Sequence, residues 1–240
     1  SEIPEILAKA FYIAKSGRPG PVLIDITKDA QFELMDYKYV KHQKLRSYIP
    51  EPVPEKNLIS KAAALINSSK KPFIVFGQGV ILAHAEDDFK KFIEKSGIPS
   101  AWTILGLSAL ETDHPLNVGM VGMHGNYGPN VLTNECDLLI AIGMRFDDRV
   151  TGNLNHYAKQ AKVIHLEIDR SEINKNVIAD IPILGNIKAT LPLLSEKIVK
   201  KTHHNWIKKF KELNAIEYEK VIQKELFPKK EKITMGEVIN

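Results

Sequence analysis

Apolar positions in this chain recur in two forms, and their alternation predicts the fold. One form is the helical stripe. Leu58, Ala62, Leu65 and Ile66 share a face over residues 55–68, and Phe89, Phe92 and Ile93 share one over 85–96. The other is a short apolar run, most often ended by glycine: 72–76 before Gly77, 138–142 before Gly143, and 181–184 before Gly185. Residues 99–103 and 163–168 are similar runs, the second leading into Asp169. Strands buried on both faces need such runs, and burial on both faces is the habit of parallel sheets. Residues 55–200 are therefore expected to form a doubly wound, mainly parallel α/β domain of Rossmann-like type, with 188–200 as its closing helix. A glycine-rich loop is expected at 119–128, ahead of a short helix.

The flanks read differently. Ile3, Leu7, Ala10, Phe11 and Ala14 mark a helix over 2–16, stopped at Gly17, and 21–26 reads as a buried strand. One helix and one strand cannot enclose a core, so residues 1–30 are expected to be the end of an incomplete domain. Residues 31–54, with Pro50, Pro52 and Pro54, have linker composition. Residues 201–240 are expected to be a helix and linker towards another domain. Trp206, Ile207, Phe210 and Leu213 are that helix's apolar side, and 232–235 open a further element.

Composition narrows the class. Of 240 residues, 44% are hydrophobic and 26% charged, which excludes disorder. No apolar run approaches the roughly 18 residues of a membrane span, and the first residues are not a secretory signal. A single cysteine, Cys136, excludes an internal disulfide and a multi-cysteine zinc site. A reducing, cytoplasmic setting is the expectation. Thirty-three Lys and Arg against 29 Asp and Glu leave a net charge of +4. The excess is not interleaved with aromatic residues, so no nucleic-acid partner is expected, and no membrane.

In an open parallel sheet, ligands bind beyond the carboxyl ends of the strands. The unusual residues of this sequence fall there. Gly77-Gln78-Gly79 would let a backbone approach a phosphate, although a plain strand-to-helix turn reads the same way. Gly119 to Gly125, with Met123 and His124, would suit a flat ring; the alternative is a mobile loop with a surface histidine. The run from Gly143 through Arg145, Asp147, Asp148 and Arg149 sets four charges in five residues. Guanidiniums there suit a pyrophosphate, and a surface salt-bridge loop is the alternative. Glu167, Ile168 and Asp169 offer carboxylates to a ribose, or a helix cap. Together these describe a dinucleotide pocket, with no nucleophile–base pair, no metal cage and no phosphate-loop lysine.

Three segments carry a family resemblance: residues 16–29 (SGRPGPVLIDITKD), 122–125 (GMHG) and 145–152 (RFDDRVTG). They resemble the large catalytic subunit of biosynthetic acetolactate synthase, a thiamine-diphosphate enzyme, and the likeness runs from about residue 2 to the end. It implies that 1–30 close a pyrimidine-binding domain, that 55–200 are a central FAD-binding domain, and that 201–240 lead to a diphosphate-binding domain. It implies an activity for the complete enzyme, the condensation of two pyruvates to 2-acetolactate with release of CO2. It implies thiamine diphosphate and Mg²⁺ there, FAD here, and a role in branched-chain amino-acid biosynthesis. Partners would be the other domains of the same protein, a second copy in a homodimer or tetramer, and a small regulatory subunit.

By the same resemblance FAD contacts fall to Arg18, Gly77, Gln78, Gly79, Thr103, Ile104, Leu105, Gly122, Met123, His124, Gly143, Arg145, Asp147, Arg149, Glu167, Ile168, Asp169, Gly185 and Asn186. Arg149 would also face the substrate channel of the complete enzyme. No catalytic residue and no metal ligand is assigned to this chain, which alone is expected to be inactive. Gln78 stands where the family commonly has glycine, and Asn186 where it commonly has aspartate. Two other readings stand beside this one. One is a ligand-free structural or interaction module; the other is the central domain of a relative such as glyoxylate carboligase or pyruvate oxidase. An NAD-dependent deacylase would need a zinc module that one cysteine cannot supply.

Overall fold

The computed structural model describes residues 2–39, 41, 44–227, 233 and 235–239. The chain divides into two compact units, Ser1–Pro52 and Val53–Asn240.

In the first unit, helix α1 (Ile3–Lys15) ends at Ser16 and Gly17, and a short helix α2 (Lys28–Phe32) follows. Tyr48 anchors the turn after α1. Its hydroxyl donates to the Ser16 carbonyl at 2.8 Å, and its ring meets Tyr12 edge-on at 5.9 Å. The strand expected at 21–26 is not formed: these residues pair with no other strand, and Leu23 is 94% exposed. A strand needs a neighbour to satisfy its backbone, and no described segment pairs with this one.

The second unit begins with α3 (Lys56–Ser68), β1 (Pro72–Phe76), the single turn α4 (Gly79–Leu82), α5 (Glu86–Ser96) and β2 (Ser100–Trp102). A 3-10 turn (Ile104–Gly106) precedes β3 (Asn117–Met120), α6 (Tyr127–Thr133) and β4 (Leu138–Ile142). The turn α7 (Asp148–Thr151), β5 (Lys162–Glu167), β6 (Ile181–Leu184), α8 (Ile187–Lys197) and α9 (His204–Glu217) complete it. Beyond α9, a π-helical stretch Tyr218–Ile222 leads to α10 (Gln223–Leu226), and α11 covers Met235–Ile239. Residues 232 and 234 of the expected last element lie outside the described residues.

All strand pairs are parallel, and the sheet order is β3-β2-β1-β4-β5-β6. Register places Ile74, Ile140 and Ile164 in one row and Phe73, Leu139 and Val163 in the adjacent one. The first row faces α3, α5 and α8, packing with Ile59, Phe89, Phe92, Leu191 and Leu194. The second faces α6 and α9, packing with Leu132, Trp206 and Phe210. Both faces are covered, which is why β1 and β4 are buried at all five positions.

Two features depart from the sequence pattern. Residues 117–120 form an edge strand that takes in the start of the loop expected at 119–128; with four residues and a register shift against β2, β3 is too short to carry a period. Helix α9, expected as part of a connector, is one of the covering layers. Its Trp206 and Phe210 are buried, Phe210 lies 5.1 Å from Phe73, and the Trp206 indole donates to the Pro72 carbonyl at 2.9 Å. Among the described residues no helix is long and apolar enough to cross a membrane.

Asp137, just before β4, ties that strand to the approach of β1. Its carboxylate accepts from the Ser69 hydroxyl and from the amides of Lys70 and Lys71, at 2.8 and 2.9 Å for the amides. Burial pushes this carboxyl upward, but the Ser69 hydroxyl and the two amides outweigh it, and its pKa lies below the ordinary 3.8. A carboxyl held low in the folded state contributes stability that is complete above its unfolded value. That stability is lost as pH falls through the lower folded value. Asp137→Asn is therefore expected to lower stability at neutral pH and to flatten the acid limb of the stability–pH curve below 3.8, read by urea unfolding at stepped pH. An acid limb identical to that of the wild type would contradict the assignment.

Candidate functional site

The sheet order reverses direction between β1 and β4. In a doubly wound sheet that is the point where a crevice opens at the carboxyl edge. Gly77, Gln78 and Gly79 leave β1 there, and Gly143 and Met144 leave β4 beside them. The two exits touch through backbone. The Gly77 amide donates to the Ile142 carbonyl at 3.0 Å, and the Gly79 amide to the Gly143 carbonyl at 2.9 Å. A Cβ on Gly79 would sit 2.6 Å from the Gly143 Cα, and one on Gly77 would sit 2.6 Å from the Gly143 carbonyl. These glycines are required first by the close approach of two chain segments. Gln78, between them, is exposed.

The other strand ends lie on the same edge, since every strand runs the same way. After β2, Thr103 is buried and its amide donates to the Phe76 carbonyl at 2.9 Å, while Ile104 and Leu105 are exposed. After β3, Met123 and His124 are exposed on a loop braced by Asn130. The Asn130 side chain accepts from the Gly122 amide and donates to the Gly122 carbonyl, both at 2.9 Å. The Met123 amide donates to the Arg149 carbonyl at 2.7 Å, and the Arg149 guanidinium approaches the Met123 sulfur at 3.7 Å. The 122–125 and 145–149 segments are thus neighbours.

After β4 the chain alternates. Met144 and Phe146 are buried, whereas Arg145 is exposed and Asp147 half-buried. Asp147 holds Arg145, with Nε to Oδ2 at 3.3 Å, and caps α7 by accepting from the Val150 amide at 3.2 Å. After β5, Glu167 is buried and Oε1 accepts from the amides of Ile168 and Asp169, at 2.9 and 3.2 Å. Asp169 accepts from the amide and hydroxyl of Ser171, at 2.9 and 2.7 Å. After β6, the Gly185 amide donates to the Glu167 carbonyl at 2.9 Å. Asn186 caps α8, accepting from the Lys188 amide at 2.9 Å.

The structure therefore brings eighteen of the nineteen expected contacts to one sheet edge; the exception, Arg18, belongs to the first unit. A cavity of about 340 Å³ opens between residues 121–123, α6 and the 148–152 turn, with Tyr157 in its wall. It takes in only Gly122, Met123 and Arg149 of the expected residues, so the exposed edge is the better description of the site. Cys136 is not a candidate nucleophile: burial, then the neighbouring Asp137 charge, push its thiol up to about 12.

Reasoning from sequence missed the braces behind the edge. Asn130 clamps the 122 loop. Asn176 donates to the Phe146 carbonyl at 2.6 Å. His165, fully buried in β5, bonds to the Met144 carbonyl through Nε2 at 2.9 Å. Of these only His165 carries a signal in the sequence, as a polar residue inside an apolar run.

The chain matches the family "Thiamine pyrophosphate enzyme, central domain" over residues 59–194. Among curated relatives it is 43% identical to a probable acetolactate synthase large subunit of Methanocaldococcus jannaschii. That match covers 90% of this chain and 37% of the relative. It is 42% identical to acetolactate synthase large subunits of Mycobacterium tuberculosis and Corynebacterium glutamicum, over 85% and 82% of this chain. Those two matches cover 32% and 31% of the relatives, so the chain spans little more than a third of their length at most. Among solved structures it resembles a thiamin diphosphate-dependent enzyme from Mycobacterium smegmatis at a TM-score of 0.65. There it is 23% identical, over 83% of this chain and 38% of that one; this likeness bears on the fold.

Gly79→Ala tests the close approach at the reversal point. Gly79 has an ordinary negative φ, so alanine brings no backbone strain, only the overlap with Gly143. The variant is expected to lose at least about 1–3 kcal/mol, read as a lower urea midpoint. Wild-type stability would mean that the two segments are not in contact.

Proposed function

The chain belongs to the thiamine pyrophosphate enzyme family, as its central domain, and from that premise we propose that it is the FAD-binding portion of a biosynthetic acetolactate synthase. The observation that supports this most is the order of chemistry along the sheet edge. Exposed apolar side chains, Ile104, Leu105 and Met123, stand at the ends of β2 and β3. Guanidiniums, Arg145 and Arg149, stand after β4. Carboxylates and an amide, Glu167, Asp169 and Asn186, stand after β5 and β6. An aromatic ring, a pyrophosphate and a ribose laid across the strands meet partners in that sequence. Six strands span five spacings, about 24 Å in all, which calls for an extended ligand.

The residues fit such a group in their donor chemistry. Arg145 is held by Asp147 with more than half of its side chain exposed, so it can take a phosphate without breaking a core contact. Glycines at 77, 79 and 143 let the exits of β1 and β4 meet backbone to backbone at the reversal point. Glu167 and Asp169 already accept from their own loop, which fixes their direction. FAD would supply its isoalloxazine ring when bound, with no net redox step in the condensation. The protein's part here is to bind, orient and partly cover it. In the complete enzyme the activity is the condensation of two pyruvates to 2-acetolactate with release of CO2, on thiamine diphosphate and Mg²⁺. That protein acts as a homodimer or tetramer, with a small regulatory subunit as a further partner. The 240-residue sequence has no Gly-Asp-Gly stretch of the kind the family uses for the diphosphate, and by itself it makes no acetolactate.

The purified chain is expected to quench flavin fluorescence on titration with FAD. Arg145→Ala should weaken binding about ten- to hundredfold, the value of one or two charge-assisted hydrogen bonds. Absence of binding at high FAD, or an unchanged affinity in the variant, would leave the structural-module reading. Pyruvate consumption by the chain alone, measured against a no-protein control, is expected to be nil; release of CO2 would overturn the assignment of activity to the longer protein.

A further inference from the structure

His165 sits in the middle strand of the β4-β5-β6 trio, between Ala141 and Pro182, with its side chain on the α6–α9 face of the sheet. The β4–β5 ladder ends one residue past β4, where the Gly143 amide donates to the Leu166 carbonyl at 3.0 Å. Gly143 then turns the chain at a φ of +58°. The next carbonyl, of Met144, has left the ladder and lies in the buried layer. His165 Nε2 reaches it at 2.9 Å. A carbonyl can only accept, so Nε2 carries the proton. Nδ1 is then a bare acceptor, and it has no partner. The ring lies edge-on to Phe146 at 5.0 Å. Burial lowers the pKa of this imidazole, in keeping with a neutral ring.

Arg145 lies between these two anchors. Met144 is held by its carbonyl on His165. Phe146 is held by its ring on His165 and by its carbonyl on Asn176. Met144 and Phe146 are buried while Arg145 between them is exposed, and the Asp147 amide closes a tight turn on the Arg145 carbonyl at 3.0 Å. Fixing Met144 and Phe146 inward therefore fixes Arg145 outward. The buried ring touches both neighbours of the exposed arginine.

We infer that His165, as the Nε2–H tautomer, is a positioning residue for Arg145: it replaces the missing rung of the β4–β5 ladder and so aims the guanidinium at the carboxyl edge. The inference rests on the proposed FAD site for its ligand readout, but its structural content is independent of any ligand. A residue that merely filled space would be replaced equally well by any side chain of similar size. A residue that supplies a donor at one atom would not.

Three variants of the 240-residue chain separate these roles. Gln places its amide nitrogen at the reach of Nε2, Asn places its own at the reach of Nδ1, and Leu fills the space with no donor. Hydrogen exchange over residues 144–150 should quicken several-fold in His165→Leu and His165→Asn, and stay near wild type in His165→Gln. FAD affinity should fall about tenfold in the first two and be restored in the third. Leucine matching the wild type in both readouts, or glutamine failing with asparagine, would overturn the inference. If the variants do not fold, the wild type still decides. The ¹⁵N spectrum of the histidine rings should show one buried imidazole protonated at Nε2, and an Nδ1–H tautomer would refute it. A wild type that takes up no FAD would sink the flavin reading, while the exchange rates and the tautomer would still judge His165.

Discussion

Burial of a parallel sheet on both faces is the constraint from which the other features of the second unit follow. β1 and β4 are covered at every position, so no polar side chain can be exposed along their length. Helices α3, α5 and α8 close one face, and α6 and α9 close the other. Chemistry is left with the strand ends. Because all six strands run the same way, their carboxyl ends lie on one edge. Short clusters of glycines, arginines and carboxylates, spread over about a hundred residues of sequence, are gathered there.

The edge is held from behind. Gly79 and Gly143 bring β1 and β4 into backbone contact at the point where strand order reverses. Asn130 clamps the loop that carries Met123 and His124. His165 and Asn176 take the two carbonyls on either side of Arg145. In each case a donor or acceptor from elsewhere in the chain satisfies a backbone group that has left the regular ladder. An unsatisfied buried carbonyl costs about 1–3 kcal/mol, so these braces are as much a part of the fold as the apolar rows. They confine the 122–125 and 145–149 segments while leaving Met123, His124, Arg145 and Arg149 exposed.

A flavin-binding role and a purely structural one differ in what they ask of this edge. A structural module needs the glycine contact and the braces, because those serve the backbone. It does not need Arg145 exposed beside a carboxylate that orients it, nor Ile104, Leu105 and Met123 left uncovered. The cost of exposing apolar side chains and ordering a guanidinium is recovered when a ring and a pyrophosphate cover them, and that is the physical basis for preferring the FAD reading.

Much of this was legible in the residues themselves. Short apolar runs closed by glycine announced β1, β4 and β6, and helical stripes announced α3 and α5, because those elements bury enough of their surface for period and length to show. The arginine–aspartate cluster after β4 was visible as four charges against a buried strand. Three things needed tertiary structure. β3 is too short and too near an edge for its pattern to register. Residues 21–26 have the composition of a strand, yet pairing depends on a neighbour that composition cannot supply. Trp206 and Phe210 look like the sticky side of a connector until the face of the sheet they cover is known. Sequence fixes which side chains are apolar, charged or small; which backbone groups lose their partners, and which distant side chain restores them, is decided only when the strands are in register.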